Sequence, residues 1–305
     1  NTLDYAGTSA GVTVTLTSLG TGNFGFAGTV PGTGGFDRMT SLVGSTGTDT
    51  LIGRNSTATW TVNGGGTTYD SENILTFSLV ENLTGGAAAD IFSITGAHSG
   101  DISGAGGEDL FAVNAALTGS LNGDADADTI NLGPSGSVSG ILSGGSGGND
   151  NDTLVGPNNA NLWTVNALDG GDVDGQTFIE MENLTGNAGA DTFDLTASLT
   201  GNITGGDGAN DYNLNAAINV GGGITGGTGD DTFDFNNNGA TVTGALDGGA
   251  GGINTLDYAG TSAGVTVTLT SLGTGNLGFA GTVPATGGFN RITALVGSTG
   301  IDTLV

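Results

Sequence analysis

The chain has 305 residues, with 63 Gly, 4 Pro and no Cys, and 30 acidic side chains against three basic ones, Arg38, Arg54 and Arg291. The missing cysteines exclude a disulfide framework and any Cys-ligated metal. A net charge of −27 lacks the basic footprint that nucleic acids and anionic membrane surfaces require, so neither is expected as a partner.

Read from the start, "GVTVTLTS" (11–18) alternates like a strand, and "LGTGNFGFAGTVPGTGG" (19–35) reads as a surface loop. Asp49 then opens a series. A Gly- or Asp-rich turn precedes Asp49, Asp90, Asp109, Asp128, Asp152, Asp191, Asp211, Asp231 and Asp302, with Asn254 in the same place once. An alternating apolar segment follows each turn, as in "DIFSI", "DLFAV", "DTINL", "DTFDL", "DYNLN" and "DTFDF". About ten residues later comes a second short segment such as "GDISG", "TGNITGG" or "GGGITGG". Two short strands per roughly twenty residues cannot enclose a core alone but can when stacked coil on coil. The expected fold is all-β, a right-handed parallel β-solenoid with coils of about 20 residues. Phe92, Phe111, Ile130, Phe193 and Phe233 should stack in one column inside it, and Gly should serve corners at positive φ. The longer intervals, 49 to 90 and 152 to 191, read as two coils each, with "NLWTV" and "TFIEM" as extra strands.

Longer periods overlie the coil. Residues 1–52 return at 254–305, an offset of 253. Seven pairs differ: Phe24/Leu277, Gly32/Ala285, Asp37/Asn290, Met39/Ile292, Ser41/Ala294, Thr48/Ile301 and Ile52/Val305, which leaves 45 of 52 the same. A period near 102 relates "DTLIGRNSTATWTVNGG" to "DTLVGPNNANLWTVNALDGG" and aligns Trp60 with Trp163, which read as core fillers. Residues 1–305 are therefore read as one continuous solenoid: 1–48 the end of a 253-residue unit, 49–151 and 152–253 its half-repeats, and 254–305 the copy of 1–52. The chain starts inside a repeat and reads as an excerpt of a longer array.

"GGTGDDTFD" (226–234) fits the nonapeptide G-G-x-G-x-D-x-U-x at every defined position. It resembles the calcium-binding repeat of RTX (haemolysin-type) proteins. That resemblance implies calcium (Ca2+) held by oxygens at Gly226, Gly227, Gly229 and Asp231, and more loosely at Asp191, Asp211, Asp128, Asp90 and Asp109. It is partial: only one edge carries the acid, and several turns lose glycines ("GGAAAD", "GAGGED", "GDADAD"). An Asp at a turn also caps backbone N–H groups without any metal, and both readings stand here. The larger pattern, "NTLDYAGTSAGVTVTL", "WTVN" and "ENLTGG", resembles the repeats of giant secreted bacterial surface proteins, filamentous adhesins or β-strand-repeat proteins. It implies an extracellular filament whose partners are copies of itself, or a stalk presenting a separate binding domain. It names no host, surface or matrix ligand.

An enzyme is not expected. β-Solenoid lyases need a basic residue near the substrate, and here there are three arginines and no Lys. His98, the one histidine, sits in a turn-like segment without a nucleophile beside it. Thr13, Thr15 and Thr17 share a face but recur once per 253 residues, not once per coil, which argues against an ice-binding array. The Asn55, Asn82 and Asn183 acceptor triplets arise readily in an Asn- and Thr-rich chain.

Overall fold

The computed structural model describes residues 1–64, 66–146 and 150–305. Gly65, in the "WTVNGG" segment, and residues 147–149, in the turn before Asp152, lie outside the described residues. The chain divides into two compact units, Asn1–Asp152 and Thr153–Val305. Each is a β-solenoid.

Alternation dictates the coil. In Ile91–Ile94, Phe92 and Ile94 are buried while Ser93 and Ile91 face outward, and Leu110–Val113 repeats the pattern 19 residues later. In the first unit one sheet stacks Thr59–Val62, Ile91–Ile94, Leu110–Val113 and Thr129–Leu132 in parallel, in unbroken register. The opposite sheet stacks Thr13–Leu19, Thr50–Ile52, Asn82–Thr84, Ile102–Ser103, Leu121–Asn122 and Leu142–Ser143. A third, short face is formed by His98–Ser99, Ala116–Thr118 and Ser137–Val138, so a coil has three sides where alternation alone suggests two. Two-residue strands are too short to show a period.

The second unit repeats the plan. Leu162–Ala167, Thr192–Leu195, Asp211–Leu214, Thr232–Phe235 and Thr255–Asp257 form one face. Thr153–Val155, Asn183–Ala188, Ile203–Asp207, Ile224–Thr228 and Leu246–Asp247 form the other. Asn219–Val220 and Thr241–Val242 supply the third.

The long intervals are not simply two plain coils. In each, a three-stranded meander with a reversed middle strand is set into an otherwise parallel sheet. Thr59–Val62, Thr67–Asp70 and Ile74–Ser78 make one, and Leu162–Ala167, Gly170–Val173 and Gln176–Ile179 its counterpart. Asp174 and Gly175 both take positive φ (49° and 87°), the two-residue hairpin geometry that Asp-Gly favours. The supposed loop at 19–35 belongs to a third meander: Phe26–Thr29 runs antiparallel to Thr13–Leu19, and Phe26 is fully buried. Its glycines mark hairpin turns, not an excursion.

Inside, the residues expected in one column form two stacks, one in each unit, because the apolar strands that carry them belong to different sheets. In the first, Trp60 lies on Phe92 and Phe92 on Phe111, with centroids 5.3 and 5.0 Å apart, and Ile130 continues the register. In the second, Trp163, Phe193, Tyr212 and Phe233 follow at 5.5, 5.2 and 5.1 Å. Tyr212 fits an apolar column because its hydroxyl donates to Thr225 O at 2.9 Å.

Candidate functional site: a buried aspartate row

Two residues before each stacked side chain except Trp60, which has Ala58 there, stands a polar one with almost no solvent exposure, Asn161 before Trp163 among them. Asp90, Asp109, Asp128 and Asp152 form this row in the first unit; Asp191, Asn210, Asp231 and Asn254 form it in the second. The side chain of each takes the backbone N–H of its predecessor one coil earlier. Asp90 N–H donates to Asp109 Oδ1 (2.6 Å), Asp109 to Asp128 (2.7 Å) and Asp128 to Asp152 (2.7 Å). Asp191 donates to Asn210 Oδ1 (2.9 Å), Asn210 to Asp231 (3.0 Å) and Asp231 to Asn254 (3.2 Å). The row adds one rung per coil at the corner where the sheet ladder has not begun, satisfying donors that would otherwise be buried unpaired.

The second carboxylate oxygen divides the row. Asp49 Oδ2 accepts Ser45 N–H and Asp90 Oδ2 accepts Gly86 N–H at 2.8 Å, each from four residues before. At Asp109, Asp128, Asp191 and Asp231 the buried Oδ2 has no hydrogen-bond partner. There the residue four positions earlier is in the left-handed region (Ala105 φ 76°, Asp124 φ 78°, Asn187 φ 79°, Gly227 φ 118°), which turns its N–H away.

Each of these oxygens lies over a glycine five residues before it, with ordinary φ: Gly104, Gly123, Gly186 and Gly226. A Cβ at any of the four would collide with Oδ2, and it would also crowd the carbonyl of the next coil's glycine, such as Gly144 beside Asp128 or Gly205 beside Asp191. These glycines are required by space, not by backbone conformation. Gly123→Ala or Gly226→Ala should therefore lower unfolding stability by about 1–3 kcal/mol. Gly34→Ala, whose Cβ meets nothing within 4 Å, should leave the urea midpoint in place.

The asparagines show what that pocket accepts. Asn210 Nδ2, at the place of the orphan oxygen, donates to Gly226 O (3.3 Å) and Gly208 O (3.2 Å). Asn254 Nδ2 likewise donates to Gly251 O and Arg291 O, both at 3.2 Å. The pocket is lined by acceptors and suits a donor, which an ionised carboxylate cannot supply and a protonated one can. Burial acts in the same direction. It pushes Asp90, Asp191 and Asp231 up to about 6, Asp109 to about 7 and Asp128 to about 8. At Asp109 and Asp128 neighbouring acids, among them Asp90, Asp124 and Asp152, add to it.

The positions singled out in the sequence fall as follows. Asp90, Asp109, Asp128, Asp191 and Asp231 are in the row; Gly226 lies beneath the last, and Gly227 and Gly229 turn the corner at φ 118° and 134°. Asp211 is not in the row. It is exposed, in register with Thr192 and Thr232, and Asn210 holds the buried place. Counting back two residues from the stacked aromatic, Tyr212, rather than looking for an acid, identifies Asn210. His98 begins the third face, with Nε2 2.7 Å from Glu81 O, and its half-buried setting pushes its pKa down.

A calcium centre needs six to eight oxygens around one point. In the row Oδ1 is taken by a backbone N–H and one oxygen per coil is left. Among the described residues no three acidic or histidine side chains gather to hold a metal. The buried row by itself does not fit a calcium shell. No protein-family model and no curated protein matches the chain.

Proposed function

We propose that the chain is a structural repeat of a giant extracellular bacterial filament or surface fibre, an extended shaft and not an enzyme. The observation that carries this reading is the constant register. Within each unit successive coils offer a like edge, apolar side chain on apolar side chain and an Asp or Asn side chain on backbone N–H, so length can grow by copying repeats. The near-identity of 1–52 and 254–305 fits such copying. The acidic surface keeps long shafts soluble, and copies of the chain are the partners this reading requires.

A second reading, a calcium-stabilised stalk presenting a separate binding domain, draws on the match of the "GGTGDDTFD" turn to the calcium-binding nonapeptide. Electron microscopy in calcium and in excess chelator separates the two. Rods of equal length in both conditions support the plain shaft. Rods that collapse in chelator support the calcium stalk, and compact particles in both conditions overturn both.

A further inference from the structure

Both units carry the same row of outward-facing positions, with different chemistry. In the first unit Thr76, Thr68, Thr61, Ser93, Ala112 and Asn131 stand in register on neighbouring strands of one sheet, and none of them ionises. Their counterparts in the second unit are Thr177, Asp172, Thr164, Asp194, Asn213 and Asp234, and Asp257 follows in the next coil. Beside the first row Ile91 and Leu110 face outward in register, with Ile91 42% exposed. At the same places in the second unit stand Thr192 and Asp211. Asp70, between Thr59 and Ile74, is the single acid among the described outward side chains of the six strands in the first unit.

The fold does not ask for this difference. An outward position needs only a side chain that suits a strand, and Thr192 and Asp211 serve where Ile91 and Leu110 stand. Charge, however, limits where two copies of a chain carrying −27 can approach. Carboxylates brought face to face repel and are costly to strip of water, whereas hydroxyls and methyl groups are not. A face of small side chains in unbroken register also packs readily on another sheet at about 10 Å.

We infer that this face is where two copies of the chain meet side by side. Ile91 and Leu110 of one copy pack against Ile91 and Leu110 of the other across a two-fold axis, with Thr61, Ser93 and Ala112 around them. Six strands of four residues cover roughly 29 Å by 13 Å on each copy. The contact therefore buries roughly 800 Å² in all, below the ~1,200 Å² of a stable pair. A single pair of faces is weak, with a dissociation constant on the order of 0.1 mM, and several faces on one shaft hold together far more firmly. This deepens the shaft reading by saying how shafts meet, and it rests on that reading only for its purpose.

Sedimentation of the full chain from about 5 μM to about 500 μM should show the mass climbing from 29.5 kDa toward twice that value, further at high salt, which screens the remaining acids. Ile91→Asp with Leu110→Asp should weaken the association at least tenfold. Thr192→Asp with Thr232→Asp adds the same two charges to the second unit and should leave the association unchanged. A chain that stays monomeric at the highest concentration overturns the contact and leaves the face to a different partner. Association that persists undiminished in I91D/L110D overturns it as well. If that variant does not fold, a single cysteine in this Cys-free chain decides. Ser93→Cys should give dimers with a short bis-maleimide, and Asp194→Cys, at the equivalent place in the second unit, should not. Equal yields overturn the contact. Under the microscope, dimers of compact particles would sustain the contact and overturn the shaft, whereas rods that stay monomeric overturn the contact and leave the shaft standing.

Discussion

Raising the pH from 5 to 8 should destabilise this protein, lowering its thermal midpoint by about 5–10 °C. Asp90, Asp109, Asp128, Asp191 and Asp231 are raised in the fold to between about 6 and about 8. A carboxyl group raised in this way binds its proton more tightly folded than unfolded. Its contribution is fully present below the ordinary carboxylate range near 4 and is lost as the pH climbs through the folded value. Each extra proton held by the folded chain changes stability by about 1.4 kcal/mol per pH unit, so a total loss of about 3 kcal/mol is a modest expectation. Asp247 works in the opposite sense. Burial raises it, but Arg291, at 2.6 and 2.7 Å, holds it below the usual range, so its contribution fades only in stronger acid. The maximum should therefore lie near pH 4–5. General repulsion among 30 acids would give the same trend, and substitution separates the two causes. Asp128→Asn places an amide where Asn210 already has one, so it should raise the midpoint at pH 8 and flatten the pH profile. Asp211→Asn, one residue off the row, should change the slope little. A midpoint that climbs between pH 5 and 8 overturns the protonated row.

The row also shows how far sequence patterns reach. Alternation in "DTFDL" and its echoes identifies the strands and the interior aromatics, because a period of two is written in every coil. The hairpins set into the long intervals escape notice because their turns, Asp174–Gly175 among them, look like any other Gly-rich corner here. The third face escapes because two residues, such as Ser137 and Val138, carry no period. Looking for acids finds most of the row yet selects Asp211 over Asn210, since the position asks for an oxygen acceptor and not for charge. The glycine beneath each carboxyl is written in the sequence as G-x-x-x-x-D, as in Gly104 to Asp109 and Gly226 to Asp231. Corner conformation accounts for that spacing equally well, and only the collision of a Cβ with Oδ2 separates the two reasons.

The row holds only while the aromatic stack beside it is intact, which makes Phe193→Asp the most damaging single change expected. Phe193 is fully buried between Trp163 at 5.5 Å and Tyr212 at 5.2 Å. Removing such a ring costs about 3–5 kcal/mol, and a carboxylate left unpaired in its place adds several more. Phe193→Asp should therefore abolish folding of the second unit, seen as loss of the far-ultraviolet strand signal and, in a Trp60→Phe background, as a red shift of Trp163 emission. Phe193→Leu should survive, because Ile130 and Leu256 already stand in register with Phe111 and Phe233. Thr192→Asp, one residue away and facing outward, should also fold. Its carboxylate stands in register with Asp211, so it should lose about 1 kcal/mol at neutral pH and recover it in acid. Coils bind chiefly their neighbours, so damage at Phe193 should fall on the interfaces with Trp163 and Tyr212. Trp60 emission in a Trp163→Phe background should then stay unchanged when Phe193→Asp is introduced. A shift there would show that the two units fold as one.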